Sequence, residues 1–288
     1  MRWLVAGGAG MLGQDVVDVA RQAGHAITVS DRAELDITDA AACREAVAGF
    51  DVVVNCAAWT AVDDAETNEG AAFDVNAVGP ANLARAASEH HARLVQVSTD
   101  YVFAGDATSP YAEDAPVRPA SAYGRTKAAG EWGVLAAGAH HVIVRTAWLY
   151  GAGGASFPRT IVRAGRARGA LGVVSDQVGQ PTWTADLADL ILRMVDAEVP
   201  GGIYHGTSSG VASWYDFARA AVESAGMDPA IVSATTSAEF TRPAPRPAYS
   251  VLGHDRLVAA GVEPIAPWHE RWSAAASDDR FRSEVLGD

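Results

Sequence analysis

Two cysteines in 288 residues cannot make a disulfide framework, and Cys43 and Cys56 show neither CxxC spacing nor a metal-ligand pattern. The first falls in a predicted helix and the second at the end of an apolar strand, so both read as reduced packing residues. Long apolar runs are also missing. Hydrophobic residues make up 49% of the chain, yet none of their runs approaches the roughly 20 residues that a bilayer-spanning helix needs. That excludes a membrane partner and predicts a soluble protein. Residues 1–6 are too few for a signal peptide and lead straight into a glycine turn, so a cytoplasmic location is expected. Basic residues are scarce as well, with 22 Lys and Arg against 35 Asp and Glu and a formal charge of −13. Nucleic acid is therefore not expected, because phosphate contacts need clustered cations. A diphosphate-bearing small substrate is still compatible, since one or two well-placed Arg suffice to bind it.

What the chain does have is rhythm. Short apolar runs at Trp3–Ala6, Ala26–Ser30, Asp51–Asn55, Arg93–Ser98 and His141–Arg145 read as strands. Between them, helical stretches are predicted over Met11–Ala23, Asp39–Ala48, Gly70–His90 and Ser121–Ala137. This alternation predicts an α/β protein, a Rossmann-type doubly wound parallel sheet covered by helices on both faces. After residue 150 the rhythm loosens into Gly151–Gly154, the Gln180-Pro181-Thr182 turn, Pro200-Gly201-Gly202 and the proline-rich Arg242–Pro247. Residues 1–150 are expected to form the nucleotide-binding domain and 151–288 mainly a smaller mixed α/β substrate lobe, with a soft boundary that the chain can cross.

Gly7, Gly10 and Gly13 recur at three-residue intervals between the first strand and the first helix. Such spacing allows a tight turn, a close backbone approach to a pyrophosphate and close helix–strand packing, with the helix N-terminus attracting the anion. An ordinary strand–helix turn is the plain alternative. Asp31 follows the second strand, where a carboxylate would accept hydrogen bonds from adenosine ribose hydroxyls and favour NADH. Arg32 beside it could instead pair with a 2′-phosphate, so NADH and NADPH both stay open. Asp31 could equally cap a local turn. Strand three ends Asn55-Cys56-Ala57-Ala58-Trp59, small residues that let a cofactor approach, followed by an indole that either flanks it or simply packs.

Strand four ends at Thr99, followed by Asp100 and Tyr101, and in open parallel sheets ligands lie beyond the carboxyl ends of the strands. Tyr123 and Lys127 are four residues apart, about one helical turn, and so share a helix face. Together these residues describe proton transfer alongside a hydride. Thr99 would donate to a substrate carbonyl oxygen, Tyr123 would deliver the proton, and Lys127 would lower the phenol's pKa and hold the nicotinamide ribose.

The order of these motifs resembles the extended short-chain dehydrogenase/reductase family. Within it, the phrases AAWTAVDDAE, STDYVFAG, YGRTKAAGE, RTAWLY, DQVGQPT and RPAPRP are similar to those of the dTDP-4-dehydrorhamnose reductases, over residues 1 to about 260. The resemblance implies NAD(P)H-dependent reduction of the C4 ketone of a dTDP-linked 4-dehydro-6-deoxysugar. It also implies cofactor contacts from Gly10, Met11, Leu12, Asp36, Ile37, Ala57, Ala58, Trp59, Tyr123 and Lys127, although the stretch after Asp36 could as well be a helix N-cap at Thr38 or Asp39. The sugar would meet Val62, Thr99, Asp100, Tyr101 and Trp148, with Arg246 at the diphosphate; a packed aromatic is the alternative for Trp148. Relatives often carry His or Tyr where this chain has Trp59. Some form a magnesium-dependent dimer, for which Asp15 is a candidate, but Thr182–Asp189 places no Glu opposite it. A homodimer without a required metal is therefore the expectation.

Three other readings can be weighed. A 4,6-dehydratase would need Asp-Glu after the threonine, and this chain has Asp100-Tyr101, which disfavours dehydration. A 4-epimerase usually has a larger substrate lobe than residues 151–288 provide. A regulatory subunit of the kind that accompanies methionine adenosyltransferase could keep the fold without the chemistry.

Overall fold

Runs of Val and Ile buried on both faces make parallel strands, and alanine-rich amphipathic stretches make the helices that cover them. In the computed structural model, which describes residues 1–287, β1 (Arg2–Ala6) leads to α1 (Met11–Gln22), β2 (Ala26–Ser30), α2 (Ala40–Val47) and β3 (Val52–Asn55). Asp39 rather than Thr38 caps α2, its carboxylate accepting from the amides of Ala41 and Ala42. The helix expected over 70–90 is broken. After α3 (Val62–Ala65) come α4 (Glu69–Phe73), a π-turn over Asp74–Val78 and α5 (Gly79–Glu89). Pro80 explains the interruption, because it has no N–H to give the Asn76 carbonyl one turn earlier.

β4 (Arg93–Thr99) passes through a short 3₁₀ turn, Asp100–Val102, and later enters α6 (Ala122–Ala137), which Ser121 caps through the Gly124 amide. β5 (Val142–Thr146) follows. The second half contributes β6 (Leu149–Tyr150), α7 (Phe157–Arg168), β7 (Leu171–Val174), β8 (Val178–Gly179), β9 (Thr182–Trp183), α8 (Thr184–Asp196), β10 (Gly202–His205) and α9 (Trp214–Ser224).

The main sheet has six parallel strands in the order β10-β5-β4-β3-β1-β2. Its sixth strand comes from beyond residue 150, where β10 pairs with β5 from Gly202 opposite Val142 to His205 opposite Arg145. α8 crosses back as well. Its Leu187, Leu190, Ile191 and Met194 pack with Val16 and Val17 of α1 over Trp3 and Val5. Leu4, Val53, Leu94 and Ile143 point the other way, into a core with Leu83, Ala84 and Val134. The remaining second half closes its own aromatic core around Tyr150, Phe217, Trp272 and Phe281. Among the described residues no helix is long and apolar enough to cross a membrane.

Candidate active site

The chain reverses direction across the sheet between β1 and β3, and their carboxyl ends open a cleft there. Gly7 forms the turn after β1 with φ +74°, and a Cβ on it would lie 2.6 Å from the Ala57 amide nitrogen. No other residue fits. Gly10 precedes α1, whose first turn has neither a side-chain cap nor an acidic residue, so its amides and positive dipole end are available to an anion. Leu12 and Gly13 are buried at the base of this turn. Leu12 thus contributes its side chain to the core, and Met11 is only partly exposed.

The cleft holds about 360 Å³ and is lined by Gly7, Gly10, Asp31, Arg32, Asp36 and Ile37 on one side. Cys56, Ala57, Ala58 and Trp59 line the other. Asp31 caps its own turn, one carboxylate oxygen accepting from the amides of Ala33 and Glu34 at 2.7 and 3.3 Å. Asp36 is similarly bound by the Thr38 amide and hydroxyl, which hold its carboxyl below the usual range. Both carboxylates therefore bond locally, as the capping alternative expected of Asp31, while still lining the cleft. Both cysteines are free thiols, and burial pushes each up to about 12.

Thr99 ends β4, and Tyr123 and Lys127 rise from the first two turns of α6. Trp59 from the cleft and Tyr123 pack against the same small cluster of Ala65, Ala72 and Ala122. The helix must run close to the strand end here: a Cβ on Gly124 would meet the Tyr101 carbonyl at 2.2 Å. Tyr101 and Tyr123 meet edge to face with centroids 5.5 Å apart. Lys127 Nζ donates to the Val97 carbonyl at 2.7 Å, and burial lowers its ammonium to about 8 against the pull of Glu131. The phenol behaves differently from the expectation. Burial pushes Tyr123 up to about 12, the Thr99 hydroxyl opposing and the Asp100 carboxylate adding to the rise.

Thr99 is committed too. Its hydroxyl donates to Asp100 Oδ1 at 2.9 Å and accepts from the Tyr101 amide at 3.2 Å, so it must release Asp100 before donating elsewhere. Asp100 itself is only 2% exposed; burial raises it to about 6 despite the hydroxyls of Ser250 and Thr99. Tyr101 and Arg246 line a second cavity of about 450 Å³, together with Phe157 and Trp214. Val62 opens α3 nearby in sequence to Asp63, which binds Arg246 at 2.9 Å. Trp148 stacks on Trp214 with centroids 3.6 Å apart and lies against Gly179.

The match to known proteins is extensive. The RmlD substrate binding domain model matches residues 1–280. The chain belongs to the RmlD family. A probable dTDP-4,6-dihydroxy-2-methyloxan-3-one 4-ketoreductase of Streptomyces antibioticus is 49% identical over 281 residues, covering 96% of this chain and 95% of that one. A dTDP-4-dehydrorhamnose reductase of Streptomyces griseus is 49% identical, covering 93% of this chain and 90% of that one. Among solved structures, a dTDP-4-dehydrorhamnose reductase from Bacillus anthracis in complex with NADP superposes with a TM-score of 0.91 at 35% identity, covering 95% and 97% of the two chains.

In this RmlD-family chain two supports escaped the sequence reading. Asn76, on the π-turn, accepts from the Trp59 amide at 2.9 Å and donates to the Trp59 carbonyl and Thr126 hydroxyl, tying the cleft to α6. A polar residue interrupting an alanine-rich helix just before Gly-Pro was the available signal. Behind Lys127, Glu131 receives a bidentate Arg145 at 2.9 and 2.7 Å and the Ser98 hydroxyl at 2.5 Å. Asp15, the metal candidate, lies 3.8 Å from Arg280, and among the described residues no group of three or more His, Cys, Asp or Glu could hold a metal ion.

Proposed function

We propose that this protein reduces the C4 ketone of a dTDP-linked 4-dehydro-6-deoxysugar with NADPH or NADH, giving dTDP-L-rhamnose or a closely related sugar. The observation that carries the reading is the convergence of Thr99, Tyr123 and Lys127 beside a cleft that continues into the glycine turn. The cleft suits a dinucleotide: α1 offers uncapped amides, and Trp59 Nε1 is buried with no hydrogen-bond partner among the described residues. Gly7, Gly10 and Met11 would hold the pyrophosphate, with Gly13 letting α1 pack closely behind them, Asp31 and Arg32 the adenosine ribose, and Asp36, Ile37, Ala57, Ala58 and Trp59 the flanks. When bound there, the nicotinamide supplies the hydride.

The chain's own residues do the rest. With its pKa near 12, Tyr123 keeps its proton at neutral pH and can pass it to the oxygen as negative charge develops. Thr99, on releasing Asp100, donates to the same oxygen, and Arg246 meets the diphosphate. Turnover of NADPH or NADH with dTDP-4-dehydro-L-rhamnose, and a product two hydrogens heavier by mass spectrometry, would establish the activity; absence of turnover with either coenzyme rejects it. A homodimer belongs to the same reading and is checked by light scattering.

Lys127 gives the reading a pH signature. Its ammonium is present below about pH 7 and is lost as the pH rises through about 8, so NADPH affinity in a fluorescence titration should fall between pH 7 and 9. Lys127→Met should bind weakly with no such limb. Stability moves in the opposite direction: the unfolded lysine keeps its proton to about 10.4, so folding becomes more favourable between the two values.

A further inference from the structure

Asp63, the second residue of α3, binds a segment far away in sequence. Its Oδ1 accepts from the Ala244 amide at 3.2 Å and from Arg246 Nη2 at 2.9 Å, and its Oδ2 lies 3.7 Å from Arg242 Nη1. Arg246 Nη1 also donates to the Ala244 carbonyl at 3.2 Å. Prolines at 243, 245 and 247 alternate through this strap. They fix φ and carry no N–H, so Ala244 has the one amide between Pro243 and Pro245, and that amide goes to Asp63. Beyond the strap, a Cβ on Gly105 would meet Pro247 at 2.5 Å, which seats the strap on the loop that follows Tyr101.

The strap's Arg242 and Arg246 line the 450 Å³ cavity, as does Arg168; Asp63, which binds the strap, does not line it. Arg246 gives one edge to Asp63 and Ala244 and keeps N–H groups for the cavity, its side chain being 20% exposed. One carboxylate against three guanidiniums leaves two positive charges facing the cavity, which matches the two negative charges of a diphosphate diester. A partly exposed ion pair contributes little stability. Its geometric effect is larger, because it fixes where a stiff segment places Arg246.

We infer that Asp63 is a positioning residue for substrate: it pins the 242–246 strap and presents Arg246 to the diphosphate of the nucleotide sugar. The inference rests on the reading of the protein as a dTDP-sugar reductase. Asp63 touches the sugar only through Arg246, so its loss acts on substrate affinity and leaves the hydride and proton transfers intact.

Steady-state kinetics of the full-length protein with NADPH and dTDP-4-dehydro-L-rhamnose test it. Asp63→Ala should raise KM for the sugar nucleotide about tenfold or more, with kcat and the KM for NADPH within twofold of wild type. Asp63→Asn, which keeps an acceptor for the Ala244 amide, should be intermediate and folds if the alanine variant does not. Asp63→Ala combined with Arg246→Gln should be no worse than Arg246→Gln alone. An unchanged KM, a lowered KM, which would make Asp63 a competitor for Arg246, or additive losses in the double variant would each overturn the inference. Absence of wild-type turnover would instead defeat the underlying reading, so the two failures are distinguishable.

Discussion

Tyr123→Phe should lower kcat by about 10²–10⁴-fold, the usual contribution of a positioned general acid, while the protein folds as before. The two expectations separate because the ring and the hydroxyl do different jobs. The ring packs edge to face on Tyr101 at 5.5 Å and on the Ala65, Ala72, Ala122 cluster, contacts that Phe retains. The hydroxyl holds the proton, and burial keeps it there by pushing the phenol up to about 12. An acid this weak does not leak its proton to water at neutral pH, and it releases it only to an oxygen that is becoming an alkoxide. Single-turnover rates with bound NADPH are the clean measurement, since they isolate the chemical step. KM for the sugar should change little. A variant retaining more than a tenth of the wild-type rate would mean that another group supplies the proton, and Thr99, whose hydroxyl is already within reach of Tyr123, would be the first to replace.

Much of this was legible in the chain because it rests on local pattern. The glycine turn, the apolar strands and the Tyr123–Lys127 spacing each declare themselves within a dozen residues, and the parallel sheet follows from their alternation. What stayed hidden depends on long-range pairing. β10 supplies only four residues to the sheet and follows a stretch of glycine and proline, so nothing nearby marks it as the sixth strand. α8 is an ordinary amphipathic helix whose partner α1 lies well over a hundred residues earlier. The direction of the Tyr123 shift was hidden for a related reason: spacing puts Lys127 on the same helix face, but only the fold shows how far the phenol is buried, and burial outweighs the other influences on it. Arg145 ends an apolar strand, and nothing near it in the chain marks the buried Glu131 that it meets.

That arginine carries the largest stability effect. Arg145 and Glu131 are each 1% exposed, and all three guanidinium nitrogens are bonded: a fork onto Glu131, a bond to the Glu113 carbonyl at 3.1 Å and a seat over the Phe103 ring at 4.8 Å. Arg145→Met fills the space with an apolar side chain but leaves a buried carboxylate with Ser98 as its remaining donor, which costs about 3–5 kcal/mol. Against a typical net stability of about 5–15 kcal/mol, that lowers Tm by about 10 °C for a chain of this size. The charge, not the volume, is the cause, so adding Glu131→Gln to Arg145→Met should recover part of the loss, whereas a pure packing defect would make the double variant worse than either single one. Calorimetry of the four proteins decides between them. Glu131 also faces Lys127 one turn away on α6, where its charge opposes the effect of burial on the ammonium. Glu131→Gln should therefore move the alkaline limb of NADPH binding below its wild-type position near pH 8, linking the buried pair to the site through a charge and not through shape.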